Sequence, residues 1–170
     1  MAIRRKCFIS YHVDDAAAVK TFLEDFGDVF IAKEIGVSDE DDFIGSDDRE
    51  YVMRRVRELY LTDSTVTIVL VGKCTAKRKY IDWEIASTLR NDPKNKRSGL
   101  LGINLKSMGN RGLAPPRLEV NRGKDDSFGF YYSYPGSNAD LRTMIENAYG
   151  RRSTHTPDNS AELFKYNRKC

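Results

Sequence analysis

Tyr80 and Glu84 stand four residues apart in the segment KRKYIDWEI, residues 77–85. Ile81, Ile85 and Leu89 recur at intervals of four, so the segment reads as a helix that buries one stripe. Tyr80 and Glu84 then share the face beside that stripe. Just upstream, residues 66–71 are apolar apart from Thr67, and Asp63 and Gly72 bound them. Such a run predicts a strand buried on both faces of a parallel sheet. A carboxylate beside an aromatic ring, near the carboxyl end of such a strand, is where α/β sheets place ligand chemistry. The plainer reading is that Glu84 is a solvated helix glutamate, because surface carboxylates far outnumber catalytic ones.

The elements that must position this pair alternate along the chain. A short apolar strand, residues 7–11, ends on Ser10, Tyr11 and His12. Asp14 or Asp15 can cap the helix that follows, with Val19, Phe22, Leu23 and Phe26 on one side and Gly27 at its end. A second strand, 29–32, leads into an acidic segment, 34–48, with Gly36 and Gly45 as hinges. That is long for a connection between a strand and a helix, and long loops are often functional. Asp47 with Glu50 predicts a capping box. Val52, Val56, Leu59 and Tyr60 form the apolar stripe of the next helix, and Arg49, Arg54, Arg55 and Arg57 its basic face.

Beyond the 66–89 unit, residues 100–105 predict a fourth strand, 107–124 an irregular loop, and 128–132 a fifth, aromatic strand. Asn138 can cap a last helix that buries Leu141, Met144, Ile145 and Ala148 and stops at Gly150. Residues 151–170 read as a loose polar tail, with Leu163, Phe164 and Tyr166 available to dock it. The alternation predicts one α/β domain, 1–150, with a flavodoxin-like three-layer fold. Its central sheet is mainly parallel, of about five strands in the order 2-1-3-4-5.

Composition narrows the function. The chain has 170 residues and a net charge of +3, with charges of both signs mixed, which does not favour nucleic-acid binding. The start, 1–6, is too short and polar for a signal peptide, and no apolar run approaches membrane-spanning length. Cys7, Cys74 and Cys170 are odd in number and far apart, so reduced thiols in a cytoplasm are expected, with no disulfide and no metal site. No glycine loop has phosphate-binding spacing, and no serine sits in a nucleophile elbow. The only histidines, His12 and His155, are distant in sequence. His12 serves a ligand or the structure equally well. The acids Asp39 to Asp42 read as a solvated loop rather than a calcium site.

Three features in order carry a resemblance. They are the opening CFISYHVDD, the long loop after the second strand, and KRKYIDWEI after the third. Together they resemble a TIR domain, and more narrowly the TIR-like proteins of the bacterial Thoeris antiphage system, the ThsB group, over residues 4–150. Members of that group begin with an apolar strand ending S-[FY]-H, here Phe8, Ser10, Tyr11 and His12. They also place an aromatic residue four before a glutamate on the third helix, here Tyr80 and Glu84. Tyr80 stands where many TIR domains have tryptophan, and Trp83 comes just before the glutamate. The loop 34–46 has no residue-by-residue match.

The resemblance implies an NAD-consuming enzyme that breaks the nicotinamide–ribose bond, with NAD as substrate and no cofactor or metal. Glu84 would be the catalytic residue, and Phe8, Ser10, Tyr11, His12 and Tyr80 would bind substrate. The product would be a cyclic ADP-ribose-like signal for an effector protein, or ADP-ribose if water enters. The alternative is a non-catalytic TIR interaction module, for which the charged second helix suits docking against another copy. A third reading is a nucleoside-processing hydrolase on a similar sheet.

Overall fold

The computed structural model describes residues 2–123 and 125–170. Five strands, β1 (Lys6–Ser10), β2 (Ile31–Lys33), β3 (Val66–Val71), β4 (Gly99–Asn104) and β5 (Phe130–Tyr132), form one sheet in the order β2-β1-β3-β4-β5. Every neighbouring pair is parallel, as the alternation predicts. The helices between them are α1 (Ala16–Phe26), α2 (Arg49–Val56), α3 (Lys79–Leu89), α4 (Pro116–Glu119) and α5 (Asn138–Thr154).

The period of two along each strand sorts the core into layers. Cys7 and Ile9 of β1, with Val66, Ile68 and Leu70 of β3, pack against Phe22 of α1 and Leu141 and Ile145 of α5. The alternate residues point the other way. Val69 and Val71 meet Ile81, Ile85 and Leu89 of α3, and Phe8 packs with Phe43, Val52, Val56 and Trp83. A parallel sheet covered on both faces leaves its central strands no solvated side, and every residue of β3 and β4 is buried.

Several expectations are corrected. Asp48, not Asp47, caps α2 by accepting the Tyr51 amide at 3.2 Å. A π turn, Arg57–Leu61, continues that helix and rotates its stripe. Leu61 is therefore buried, whereas Leu59 is 47% exposed. The same turn carries Arg57 off the basic face into the protein, where it donates to the Ser87 carbonyl at 3.2 Å. Helix α5 runs through Gly150 to Thr154, and the loop after β4 contains α4.

The larger correction concerns residues 155–170, which are docked rather than loose. Arg117 of α4 and Asp82 of α3 form a fully buried ion pair at 3.0 Å. The other Arg117 nitrogens donate to Asn159 Oδ1 and to the Ala161 and Glu162 carbonyls, each within 3.0 Å. Asp82 accepts the Phe164 amide at 2.9 Å, and Trp83 Nε1 donates to the Phe164 carbonyl at 2.9 Å. These groups cover the side of α3 that faces away from the sheet, so residues 81–89 are all buried. The docked segment also returns Cys170 to Cys74, and the two form a disulfide with Cα atoms 5.3 Å apart. The expectation of three free thiols is overturned, and only Cys7 remains free. Sequence separation hid this pairing, because chain folding rather than spacing brings position 170 back to position 74.

Arg117→Ala leaves Asp82 buried without its partner and removes the anchor of residues 159–162. The expected loss is about 3–5 kcal/mol of stability, read from the shift of a denaturant midpoint. A loss within the range of an ordinary surface substitution would contradict this account of the docked segment.

Candidate functional site

Parallel strands that end together on one side of a sheet leave a crevice there, and the loops that follow line it. Here that crevice is a cleft of about 390 Å³. Its floor and walls come from Ile9, Tyr11 and His12 at the end of β1, Gly36, Val37 and Asp39 after β2, and Arg78, Tyr80 and Glu84 at the start of α3.

Glu84 is 4% exposed, so it is not the solvated glutamate of the plainer reading. Its carboxylate has two protein donors. Ser10 Oγ donates to one oxygen at 2.7 Å, and the Val37 amide donates to the other at 3.0 Å. Geometry explains both contacts. Ser10 and Phe8 occupy the β1 face directed at α3, and Ser10 is the last residue of the strand. Val37 reaches Glu84 because residue 36 is glycine, whose Cβ, if added, would collide with Glu84 Oε2. Burial outweighs these two donors and pushes the Glu84 carboxyl up to about 7. It therefore changes charge near neutral pH, unlike an ordinary carboxylate.

The acidic loop shapes the rest. Tyr80 OH donates to Asp39 Oδ1, and Tyr60 OH donates to Asp41 Oδ1 at 2.6 Å. Phe43 is fully buried between Phe8 and Trp83 and holds the loop down. His12 pairs with Asp14 at 3.2 Å.

Of the residues named from sequence, Tyr11, His12, Tyr80 and Glu84 line one cleft. Ser10 is fully buried and reaches it only through Glu84. Phe8 is fully buried beneath Gly36, within the apolar cluster, and presents no surface to the cleft. The alternation of β1 carries the signal for this, because only residues beyond the strand end escape a sheet covered on both faces. Gly36, Val37, Arg78 and Asn167 line the cleft without having been singled out for it. Among the described residues, no cluster of three or more His, Cys, Asp or Glu is placed to hold a metal ion. No helix among them is long and apolar enough to cross a membrane.

The family model described as Thoeris protein ThsB, TIR-like domain, matches residues 8–110. The chain belongs to this family. The match begins on Phe8 of β1 and ends just past β4, so the ThsB TIR-like region contains Ser10, Tyr11, His12, Tyr80 and Glu84. It places the protein with the TIR proteins of Thoeris antiphage defence. Helices α4 and α5 and the docked segment lie outside it. No curated protein sequence matches the chain.

The Glu84 carboxyl allows a test of its surroundings. Its ordinary value is 4.5, and in the folded protein it stands at about 7. The protonated form therefore favours folding. The stability it contributes is complete below pH 4.5 and is lost as pH rises through about 7. Glu84→Gln has no charge to lose. Its amide can accept the Val37 N–H and donate to Ser10. The variant and the parent should have similar stability at pH 4.5, and the variant should be more stable at pH 8 by about 3 kcal/mol. Equal stability at both pH values would show that Glu84 is not desolvated.

Proposed function

We propose that this protein is a TIR enzyme that consumes NAD, breaks the nicotinamide–ribose bond and forms a cyclic ADP-ribose-like signal for an effector protein of the defence system. The observation that carries the reading is one buried carboxylate, Glu84, in a cleft lined also by Tyr11 and Tyr80, by Arg78 and Lys79, and by the acids Glu34 and Asp39.

The chemistry needs little else. Nicotinamide leaves as a neutral group with the bonding electron pair, so no strong general acid is required. The ribose carbon becomes oxocarbenium-like, as in glycoside hydrolysis. An ionised Glu84 stabilises that charge and accepts hydrogen bonds from the ribose hydroxyls. Each carboxylate oxygen has a second lone pair beyond the one that meets Ser10 or Val37, so both donors stay in place. Tyr11 and Tyr80 offer flat faces to the rings. Arg78 and Lys79 bring positive charge to a pyrophosphate. Capture of the ribose carbon by the adenine of the same molecule gives the cyclic product. Capture by water gives ADP-ribose. Either route releases one proton, and a carboxylate with a pKa near neutrality is suited to accept it.

The test is incubation with NAD, with nicotinamide and nucleotide products followed by mass spectrometry. Glu84→Gln should lower kcat about a hundredfold or more. Glu50→Gln, on the exposed side of α2, should leave it unchanged. In the parent, kcat/KM should rise as pH passes through about 7, because the working form of Glu84 in the free enzyme is ionised. Similar NAD consumption by the parent and Glu84→Gln would remove Glu84 from the mechanism. No turnover by the parent, even assembled with partners and triggered, would make the interaction-module reading the better one.

A further inference from the structure

The end of the chain forms one wall of the cleft. Asn167 lines it beside Arg78 and Lys79. The Lys79 amide is one of the donors that every helix leaves unpaired in its first turn. Arg78, at the N-cap of α3, supplies no side-chain acceptor for it. Asn167 Oδ1 does so instead, at 2.8 Å, from 88 positions away. The Arg168 amide donates to the Lys77 carbonyl at 2.8 Å, and the Arg78 guanidinium donates to the Arg168 carbonyl at 2.9 Å. The Cys74–Cys170 disulfide closes this set of ties. The helix that carries Glu84 is thus capped by a segment that a sulfur–sulfur bond fastens in place.

Charge opposes this docking. Residues 72–79 carry Lys73, Lys77, Arg78 and Lys79, and residues 165–170 carry Lys165, Arg168 and Lys169, with no acidic residue in either stretch. Among the described residues, none of these seven cations takes part in an ion pair. Like charges this close repel, most strongly at low ionic strength. A few exposed hydrogen bonds contribute little against that repulsion. The disulfide is the one tie that repulsion does not loosen.

The two bonded cysteines are also less buried than the free one. Cys170 is exposed and Cys74 half-buried, whereas Cys7 is fully buried. Exposed disulfides are the labile ones, and neighbouring cations favour the thiolate that exchange requires.

We propose that Cys74–Cys170 is a thiol-exchange site that latches the chain end against the cleft, and that its reduction frees residues 165–170 and opens that wall. A small thiolate attacks Cys170 Sγ, forming a mixed disulfide, and Cys74 leaves as the thiolate. A second small thiol displaces Cys170. In sum, two small thiols give two protein thiols and one small disulfide, and that small disulfide drives the reverse. If the cleft binds NAD, as the preceding reading holds, a bound pyrophosphate offsets Arg78 and Lys79, the two of these cations that line it, and favours the latched form. By linkage, the latched form then binds NAD more tightly.

The experiment uses the full chain purified without reductant. Alkylation and mass spectrometry should find Cys74 and Cys170 blocked before dithiothreitol and reactive after it. Labelling of both beforehand would overturn the proposal. Hydrogen exchange at the Lys79 and Arg168 amides is the second readout, and it needs no enzymatic activity. Reduction should speed exchange at both, more at low salt than at high salt, and Cys170→Ser should do the same without reductant. Unchanged protection would overturn the latch even with the bond present. In NAD turnover, reduction should raise KM about tenfold, within the usual span of coupled sites, and leave kcat nearly constant. An unchanged KM with lost protection would overturn the proposed effect on the cleft. Absence of turnover in both forms would count against the NAD reading alone, because exchange decides the latch independently.

Discussion

A carboxylate buried against a parallel sheet is the constraint on which this structure turns. Glu84 lies almost wholly out of water, where an unpaired charge is costly. Its two hydrogen bonds come from Ser10, at the end of β1, and Val37, beyond β2. They tie the edge of the sheet to α3 at the point where the strands end. The order β2-β1-β3 is what places both donors on one side of α3, because β1 lies between the strand that leads to Val37 and the strand that leads to Glu84.

Helix α3 is unusual for a surface layer, because its outer side is covered as well. A helix packed only on a sheet would show water its far face. Here Asp82 and Trp83 face the docked segment instead, and Arg117 binds both Asp82 and that segment. Polar groups that would be costly alone are satisfied as a set. Thr67 and Thr88 share a hydrogen bond of 2.7 Å between sheet and helix, and Thr88 also donates to the Glu84 carbonyl at 2.8 Å. Glu84 is therefore hydrogen-bonded at its backbone carbonyl as well as at its carboxylate.

Local periodicity made much of this readable. The four-residue spacing of Ile81, Ile85 and Leu89 placed α3 against the sheet and put Tyr80 and Glu84 on one wall, as found. The alternation of strands and helices predicted the strand order. What was not readable depends on distant pairings. The pairing of Asp82 could not be read locally, because its partner, Arg117, lies 35 positions away in an apparently irregular loop. Arg57 looked exposed because a π turn has no distinct sequence pattern at that point. Residues 151–170 read as a loose polar tail because backbone groups of Ala161, Glu162 and Phe164, which leave no sequence signal, anchor its later part to Arg117 and Asp82. Burial of Phe8 has a local cause. Its place in β1 assigns it to the covered face that Ser10 shares.

The charge of Glu84 at neutral pH depends on a balance between burial and two donors. Burial is the larger effect, and the hydrogen bonds from Ser10 and Val37 lower the value against it. A further loss of donors would push the carboxyl higher and leave it protonated at neutral pH, unable to stabilise a cation. The Val37 donor in turn depends on Gly36, since any Cβ there meets Glu84 Oε2 and then Phe8 at 3.2 Å. Phe8 is itself fully buried, in an apolar cluster with Phe43, Val52, Val56 and Trp83. The absence of one side chain at position 36 is thus linked, through a packed ring, to the protonation state of a carboxylate. This also gives Phe8 a part in the site without contact to a ligand. Its ring backs the Gly36–Val37 backbone, whose amide offsets part of the burial cost of Glu84.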